Sequence, residues 1–333
     1  MRIGLAYDLK EEVTATGRQP EDALEEYDSP ETVAGITLAL ESLGHSVVRV
    51  GGGREFLTNI LQNKVGFVFN IAEGRGTYRS RETQVPAVLE MLAIPYSGSD
   101  PQCLAICLDK PLTKQLVAMA GVRTPKWQAV SSRQQLESIA WDDFAFPVFL
   151  KPAYEGSSKG IRQGSRLENA EQAIAAAGAL LEGYRQPVMV EEFIAGDEVT
   201  VGIVGNSPPG ILGIMRVLPK ERNADFVYSL EVKRDWERLV EYECPAGLDA
   251  GILQEITDFS LKAFEVLGCR DFARVDFRVS RQGKPYFLEI NPLPGLNPRS
   301  GDMVIMASMM GWSYAALISA IFEAALSRYP QCL

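Results

Sequence analysis

Apolar and polar positions follow two different patterns along the chain, and the change falls about a third of the way in. In the first third, short apolar runs such as RIGLAY and VGFVFNI alternate with segments of helical apolar spacing. One such helix is predicted to start with Ser29 as N-cap and Pro30 as its first residue, and to end at Gly44. Strands that alternate with helices predict a parallel sheet covered by helices.

After the run DKPLTKQLVAMAGVRTP, short apolar runs such as EVTVGIV follow one another closely, which predicts an α+β arrangement. Helices are predicted at Leu167–Glu182 and Asp249–Leu267. Between them, residues 219–244 are polar and have neither a helical nor a strand period. A segment of that length without regular structure, inside a compact domain, is typically functional or disordered.

Length and charge limit the classes of function. A chain of 333 residues predicts two or three domains. Its formal net charge of −10 argues against nucleic acid as the main partner, because phosphate backbones are bound by basic surfaces. The N-terminus lacks the apolar run of a signal peptide, and no stretch has the roughly 20 apolar residues of a membrane span. We therefore expect a cytoplasmic protein without a membrane partner.

Cysteine and histidine usage narrows the chemistry. The five cysteines are scattered without a C-x-x-C pair, which favours reduced thiols over a disulfide framework. His45 is the single histidine, so a histidine-based catalytic triad and a multi-histidine metal site are both disfavoured. Catalysis must rest on carboxylates, cations, backbone dipoles or metal ions.

One stretch near the C-terminus, ARVDFRVSRQGKPYFLEINPLP, alternates charged with apolar residues. Arg274, Asp276 and Arg278 share one face of its first strand, because side chains alternate between faces. No role for Arg278 follows from this pattern.

A hairpin turn centred on residues 282 and 283 would pair Asp276 with Glu289 and Arg274 with Asn291, with Cβ atoms about 5 Å apart. Two facing carboxylates repel each other unless a cation lies between them. Oxygen ligands suit hard cations, so the hairpin predicts a Mg²⁺ site at Asp276, Glu289 and Asn291. The alternative is a lattice of salt bridges on an exposed sheet face.

The run FPVFLKPAYEGSSKGI is an apolar strand that leads into a Gly/Ser-rich loop. Backbone N–H groups and hydroxyls of Gly156, Ser157 and Ser158 could surround a phosphate, with Lys151 as counter-charge. A flexible surface loop is the alternative. Glu191 and Glu198 lie at a strand exit and a turn, where acidic residues hold an exocyclic amine or ribose hydroxyls or are simply solvated.

Taken together, several runs resemble the D-alanine–D-alanine ligase family of the ATP-grasp superfamily, over nearly the whole chain. The runs are IPYSGSD, LDKPLTKQLVAMAGVRTP, FPVFLKPAYEGSSKGI, VMVEEFIAGDEVTV, ARVDFRV and FLEINPLPGLNPRS. The resemblance implies an ATP-grasp fold of mixed α/β and α+β class. We expect an N-terminal parallel α/β domain at residues 1–108, a central lobe at 109–195 and a C-terminal lobe with the hairpin at 196–333.

The resemblance also assigns roles to single residues. The implied Mg²⁺ ligands, with Mn²⁺ as an alternative ion, are Asp276, Glu289 and Asn291. The implied ATP contacts are Lys110, Lys151, Ser158 and Lys233 at the phosphates, Glu191, Phe193 and Ile194 at the adenine, and Glu198 at the ribose. The implied catalytic residues are Arg274, Ser157 and Lys233, and the implied substrate contacts are Ser300, Gly295 and Arg234.

The implied reaction is ATP-dependent ligation of a carboxylate to an amine through an acylphosphate, with small amino acids or carboxylates as substrates. Phosphoryl transfer depends mainly on positioning and charge neutralisation, which needs no histidine. Arg274 would stabilise the tetrahedral oxyanion. Residues 219–244 resemble the loop that closes over the reactants. A homodimer is implied by the resemblance alone.

Departures from the family pattern concentrate on the substrate side. The family's N-terminal Gly-Gly-x-Ser-x-Glu segment, whose glutamate meets the substrate ammonium, is absent. Glu25, Glu26 and Glu31 are candidates to replace it. Dipeptide-forming members carry a tyrosine after the lysine that Lys233 matches, whereas this chain has Arg234.

A histidine-containing loop of the family is replaced by AEGRGTYRSRE, with Arg75, Arg79 and Arg81. These arginines suggest a substrate with an extra carboxylate or phosphate, or else they are solvated loop residues. A different amino acid, a hydroxy acid or a carrier-bound acceptor is therefore an alternative substrate. A non-catalytic ATP-binding sensor or subunit is the alternative function.

Overall fold

A computed structural model describes residues 1–13, 19–221 and 226–332. The strands are β1 Arg2–Ala6, β2 Ser46–Arg49, β3 Phe67–Asn70, β4 Trp127–Val130, β5 Val148–Pro152, β6 Arg166–Leu167, β7 Val188–Glu192, β8 Gly196–Val204, β9 Gly210–Pro219, β10 Val240–Glu243, β11 Phe272–Ser280 and β12 Pro285–Asn291. The helices are α1 Pro30–Ser42, α2 Gly53–Gln62, α3 Gln84–Met91, α4 Pro101–Leu108, α5 Lys110–Met119, α6 Arg133–Glu137, α7 Ala170–Tyr184, α8 Leu230–Arg234, α9 Trp236–Leu239, α10 Ala250–Val266, α11 Asp302–Met309 and α12 Tyr314–Leu326.

The N-terminal sheet is parallel, in the order β2-β1-β3, as the alternation of strands and helices predicts. Helix α1 starts as expected: the Ser29 side chain accepts a hydrogen bond from the backbone N–H of Thr32, and Pro30 is the first helical residue. Gly44 follows the helix in the left-handed region, at φ +84°.

C-terminal helices complete the core of this N-terminal sheet. Residues of α11 and α12 join α1 and strands β1 and β3 in one apolar cluster. Phe322 of α12 meets Phe67 of β3 edge-to-face, with ring centroids 5.2 Å apart. Helices α2 and α3 share a second cluster with the strands. The end of the chain therefore packs against its beginning.

A second, antiparallel sheet has the order β4-β7-β5-β6 and packs against α6 and α7. The predicted helix Leu167–Glu182 is wrong at its start. Leu167 belongs to β6 and pairs with Val148. The helix begins at Ala170, because the Asn169 side chain caps it by accepting from the N–H of Gln172.

The third sheet, β10-β9-β8-β11-β12, is antiparallel and contains the predicted hairpin. Asp276 pairs with Glu289 and Arg274 with Asn291, as expected. The predicted two-residue turn is wrong: Ser280 and Lys284 close the loop by a backbone hydrogen bond, with Gly283 at φ +74°. The register shifts between Asp276 and Phe277, because β12 has a bulge there. Beyond this bulge, at Asp276 and Arg274, the pairing is again the predicted one.

Residues 219–244, expected to lack regular structure, contain α8, α9 and β10, and β10 pairs with β9. That expectation is wrong because tertiary pairing supplies order that the local pattern does not show. Residues 222–225 of this segment lie outside the described residues. Residues 219–221 and 226–244 are called the lid segment below.

The three sheets fall within the three predicted segments, while the domain boundaries after residues 108 and 195 stay predictions. Within the described residues, no single helix is long and apolar enough to cross a membrane. By length and composition alone, the pair α11 and α12, bent by 110°, passes that test together.

Candidate functional site

Two adjoining cavities lie among β5, β7, β8, β11, β12, the lid segment and the loops around them. Cavity A is lined by Phe149, Lys151, Ser158, Ile161, Glu191, Glu192, Phe193, Ile194, Glu198, Val199, Thr200, Val217, Val227, Tyr228, Lys233, Arg274, Asp276, Arg278, Leu288, Glu289 and Asp302. Cavity B is lined by Glu25, Glu26, Tyr27, Asp28, Ser29, Thr32, Ser157, Tyr228, Leu230, Lys233, Arg234, Trp236, Arg274, Gly295, Asn297, Ser300, Gly301 and Asp302. The cavities meet at the four residues that line both, Tyr228, Lys233, Arg274 and Asp302.

The carboxylate of Asp276 is surrounded by donors. Oδ1 accepts from the Thr200 hydroxyl at 2.6 Å, and Oδ2 accepts from Nη2 of Arg274 at 2.8 Å. The Asn291 amide also donates to Oδ2, at 3.1 Å. Rotation of that amide by half a turn would present its oxygen at the same place. Asp276, Arg274 and Asn291, which the predicted hairpin brings together, therefore lie in contact.

Glu289 lies beside them and is paired with Lys110, whose Nζ is 3.1 Å from Oε2. Burial alone would raise the pKa of Glu289, but Lys110, Lys151 and Arg274 together hold that pKa below its usual range. Glu289 is therefore an ionised carboxylate opposite Asp276. Two carboxylates and one amide oxygen fit a Mg²⁺ ion, because this ion takes oxygen ligands.

Glu191 is held between two buried lysines. Lys151 Nζ is 2.8 Å from Oε1, and Lys114 Nζ is 2.9 Å from Oε2. Burial would raise the pKa of Glu191, yet the two lysines lower it overall. Burial lowers the pKa of Lys114 to about 8, although the charge of Glu191 partly opposes this shift. Lys151 and Glu191 face cavity A, whereas Lys114 supports them from behind without lining it.

Arg278 contacts two residues that the resemblance assigns to the nucleotide. Its Nη1 donates to Oε2 of Glu198 at 2.8 Å, and its guanidinium lies 4.7 Å from the ring centroid of Phe193. Two backbone carbonyls, of Phe226 and Gly196, accept its remaining hydrogen bonds. Burial raises the pKa of Glu198, and Arg278 partly opposes that rise. The structure thus gives Arg278 the place that the sequence pattern did not.

The Gly/Ser-rich loop has an unusual backbone. Ser157 and Ser158 are both in the left-handed region, at φ +50° and +57°. Two consecutive non-glycine residues in that region are uncommon and cost strain. Ser158 faces cavity A and Ser157 faces cavity B, so the loop separates the two spaces. Ser158 also donates to the backbone carbonyl of Tyr228 in the lid segment, at 3.5 Å.

The lid segment positions Lys233. Its Nζ lies 5.0 Å from the ring centroid of Tyr228, and it forms no ion pair among the described residues. The Tyr228 hydroxyl donates to Asp302 at 3.1 Å and lies 2.7 Å from the hydroxyl of Tyr242. Asp302 in turn is 3.5 Å from Nη1 of Arg274. These contacts hold one cation, Lys233, at the junction of the cavities.

Two of the three N-terminal glutamates considered as ammonium acceptors are paired at the edge of cavity B or at the surface. Glu25 is 2.7 Å from Nη2 of Arg234, which therefore bridges the lid segment to the N-terminal region. Glu31 pairs with Arg299 on the surface, where 45% of its side chain is exposed. Arg234 itself lines cavity B, as do Gly295 and Ser300.

The third, Glu26, is part of a buried charge cluster. Arg81 Nη2 is 2.6 Å and Lys159 Nζ is 2.8 Å from its Oε2. Burial would raise the pKa of Glu26, but Arg81 and Lys159 lower it overall. Arg81 also donates to Glu155 at 3.3 Å and is 1% exposed. Arg81 is therefore neither a solvated loop residue nor a free anion-binding group.

The other two arginines of the AEGRGTYRSRE segment also have partners. Arg75 Nε is 2.9 Å from Asp8, and Arg79 Nη1 is 3.5 Å from Asp109 with 67% of its side chain exposed. All three arginines are thus neutralised by carboxylates of the chain. This pairing gives no support to an extra carboxylate or phosphate on the substrate.

Of the carboxylates that the described residues place in the wall of cavity B, Asp28 is the one without such a partner. Among the described residues, its side chain forms no hydrogen bond and no ion pair. Burial, together with the charge of Asp8, raises the pKa of Asp28 well above its usual value. A cation in cavity B would reverse this shift. Asp28 is therefore the residue best placed to receive a substrate ammonium.

Sequence reasoning missed five residues of the site. They are Asp28, Lys114, Thr200, Tyr228 and Asp302. For Lys114 a signal was available, because it follows Lys110 by one helical turn and shares its helix face. The other four come from separate elements and carry no local pattern that marks them.

Comparisons with known proteins agree on one family. A family model described as D-ala D-ala ligase C-terminus matches residues 115–323. A D-alanine–D-alanine ligase of Aquifex aeolicus is 34% identical over 88% of this chain and 94% of that protein. An uncharacterized protein of Sinorhizobium fredii is 35% identical over 88% of this chain and 87% of that protein.

Solved structures agree on the fold. The crystal structure of a D-alanine–D-alanine ligase from Bacillus anthracis complexed with ATP matches with a TM-score of 0.76 and 23% identity, over 100% of both chains. The D-Ala:D-Ser ligase VanG from Enterococcus faecalis matches with a TM-score of 0.72 and 19% identity, over 97% of this chain and 99% of that chain. The ATP-grasp fold expected from the sequence is thereby confirmed.

Proposed function

The chain belongs to the D-alanine–D-alanine ligase family and is an ATP-dependent, ADP-forming ligase, and we propose that it joins two amino acids that meet in cavity B. One observation carries this proposal: cavities A and B meet at Lys233 and Arg274, beside the carboxylates Asp276 and Glu289. A nucleotide in cavity A and a carboxylate in cavity B then approach each other at a single point. The paired carboxylates also argue against a sensor that has lost its chemistry.

We assign ATP to cavity A. The adenine lies against Phe193 and Ile194, and Glu191 accepts from its amino group. Glu198 accepts from the ribose hydroxyls. The phosphates follow toward the Gly/Ser-rich loop, where Ser158 and three lysines supply donors and positive charge. These lysines are Lys110, Lys151 and Lys233.

Asp276, Glu289 and Asn291 would hold Mg²⁺, which offsets phosphate charge during transfer. In the structure, Arg274 and Lys110 provide that neutralisation for the two carboxylates. Lys110 and Arg274 also help to lower the pKa of Glu289, so that this ligand is ionised before a metal–nucleotide complex binds.

The reaction proceeds in two displacements. An oxygen of the donor carboxylate attacks the γ-phosphorus of ATP, ADP leaves, and an acylphosphate forms. The amine of the acceptor then attacks the acyl carbon, Arg274 stabilises the oxyanion, and phosphate leaves as the amine loses a proton. Ser157 orients the donor, and the lid segment excludes water that would hydrolyse the acylphosphate.

Substrate selection rests on cavity B. Asp28 receives the donor ammonium, and Gly295 and Ser300 contact the acceptor. Arg234 stands where dipeptide-forming members carry a tyrosine and is held by Glu25, so the lid segment of this chain closes through an ion pair. D-alanine is the first substrate to test on both sides, and other amino acids, hydroxy acids and carrier-bound amines are the alternatives.

The test is a screen for ADP release at fixed Mg²⁺, with amino acids and hydroxy acids offered singly and in pairs. We expect release only when a donor with a free ammonium is present. Strong activity with D-alanine alone would rule out an altered substrate, and no release with any pair would rule out the ligase assignment. We place the reaction in the cytoplasm, and light scattering tests the expected homodimer.

The variant Asp28→Asn tests the ammonium contact. It should raise the KM for the donor at least tenfold and leave the KM for ATP unchanged, because a hydrogen bond to a charged group contributes about 1.5–3 kcal/mol. Glu31→Gln is the matched control at the surface. Since the pKa of Asp28 is raised, the donor KM of the wild-type protein should also rise as pH falls through that pKa. Equal donor KM values for the wild-type protein and Asp28→Asn would refute the contact.

A further inference from the structure

Three of the five cysteines converge in one place, although Cys269 is far from the other two in sequence. Cys103 and Cys107 lie one turn apart on α4, and Cys269 lies between α10 and β11. The Sγ of Cys103 is 3.9 Å from that of Cys107 and 3.6 Å from that of Cys269. All three sulfur atoms lie within 4.8 Å of one another. This thiol cluster is no part of cavity A or cavity B.

These separations suit a metal ion. An ion bonded to sulfur at about 2.3 Å holds three trigonal sulfurs about 4.0 Å apart and tetrahedral sulfurs about 3.8 Å apart. Two separations in the cluster, 3.6 Å and 3.9 Å, are close to both values. Small side-chain rotations would bring the third separation into the same range.

The surroundings favour an ion that binds stably with a coordination number of three and soft ligands. The three cysteines are 2%, 4% and 7% exposed and belong to one apolar cluster with Val117, Phe264 and Ala273. Among the described residues, no histidine or carboxylate joins them as a fourth ligand. Zn²⁺ prefers four ligands, whereas thiolates without a fourth partner suit Cu⁺.

We propose that Cys103, Cys107 and Cys269 form a three-coordinate binding site for Cu⁺, separate from the oxygen-ligand site at Asp276 and Glu289. When one Cu⁺ binds, the three thiols become thiolate ligands and three protons are released to solvent. The site joins α4, which leads directly to Lys110, to the start of β11, the strand that carries Asp276. An ion there ties the helix before one phosphate-binding lysine to the catalytic strand.

The experiment is an anaerobic titration of the reduced full-length protein with Cu⁺ against a chromogenic Cu⁺ chelator. We expect one ion per chain in the wild-type protein. The affinity should fall at least 100-fold in Cys269→Ser and in Cys107→Ala. The matched control variants, Cys244→Ser and Cys332→Ser, should bind as the wild-type protein does, because both residues lie outside the cluster.

A readout on the wild-type protein keeps the proposal testable if the cluster variants unfold. One equivalent of Cu⁺ should protect Cys103, Cys107 and Cys269 from alkylation, as mapped by mass spectrometry, and should raise the Tm. Failure of the wild-type protein to withdraw Cu⁺ from the chelator would overturn the proposal, leaving the thiols as small apolar core residues. Preference for Zn²⁺ over Cu⁺ would overturn the three-coordinate assignment.

Discussion

Replacement of Arg278 by methionine should weaken ATP binding through the ribose. Methionine keeps an unbranched side chain over Phe193 but removes the guanidinium that donates to Glu198 at 2.8 Å. Burial already raises the pKa of Glu198, and Arg278 is the nearest charge that lowers it. Without Arg278, we expect the pKa of Glu198 to rise further and its carboxyl group to lose the contact that fixes its orientation.

The size of the effect follows from the contact that is lost. A hydrogen bond to a charged group contributes about 1.5–3 kcal/mol, and about 1.4 kcal/mol corresponds to a factor of ten. The KM for ATP in Arg278→Met should therefore rise about 10- to 150-fold. The preference for ATP over 2′-deoxyATP should shrink in the same proportion, because Glu198 acts on the ribose hydroxyls.

The assay measures initial rates of ADP and 2′-deoxyADP formation at varied concentrations of ATP or 2′-deoxyATP. The amino-acid substrate is kept saturating. Arg216→Met is the matched control. Arg216 lies on β9, in the same sheet as Arg278, and is also ion-paired, with Asp197 and Glu243, but it does not line cavity A. The control should keep the wild-type KM and the wild-type preference. An unchanged KM for ATP in a folded Arg278→Met protein would refute the role given to Arg278 and Glu198.

Three further predictions concern the metal site, the buried charges and pH. Asp276→Asn should abolish ADP formation with an unchanged circular dichroism spectrum; retained activity would contradict the metal assignment. Arg81→Met should lower the free energy of unfolding in urea by about 3–5 kcal/mol, because it leaves Glu26 buried without its main partner, whereas the exposed Arg79→Met should change it by less than about 1 kcal/mol. The pKa of Lys114 is lowered to about 8 in the folded protein from its usual 10.5, so between these values the unfolded chain binds the proton. The difference in free energy of unfolding between the wild-type protein and Lys114→Met should therefore increase as the pH rises through this range. A difference that does not change with pH would refute the burial argument.

The hairpin illustrates how far local pattern reaches. Alternation along β11 and β12 predicts that the charged residues share one face, and the assumed turn predicts that Asp276 lies opposite Glu289 and Arg274 opposite Asn291. The turn that the sequence predicts is one residue too short, because Ser280 and Lys284 close the loop. The pairing at the site was nevertheless right, since the bulge beside Asp276 compensates for the longer loop.

The substrate side illustrates where local pattern ends. In sequence, Glu25, Glu26 and Glu31 are equivalent candidates, since each is a glutamate in one polar segment. Their difference arises from distant partners: Arg234 and Arg81 neutralise the first two, and Arg299 holds the third at the surface. Within residues 1–13, 19–221 and 226–332, Asp28 has no such partner, and only the tertiary structure shows this.

The sequence by itself determined the alternation of strands and helices in the first third of the chain, the charged face of the hairpin and the family to which the chain belongs, because each is carried by short runs of residues that can be read locally. The tertiary structure decided which charges cancel and which stay available. Arg278 of β11 pairs with Glu198 of the neighbouring strand β8, and Cys269 lies beside Cys103, from which it is 166 residues apart in sequence. Such pairings depend on packing between distant segments, and no spacing along the chain encodes them.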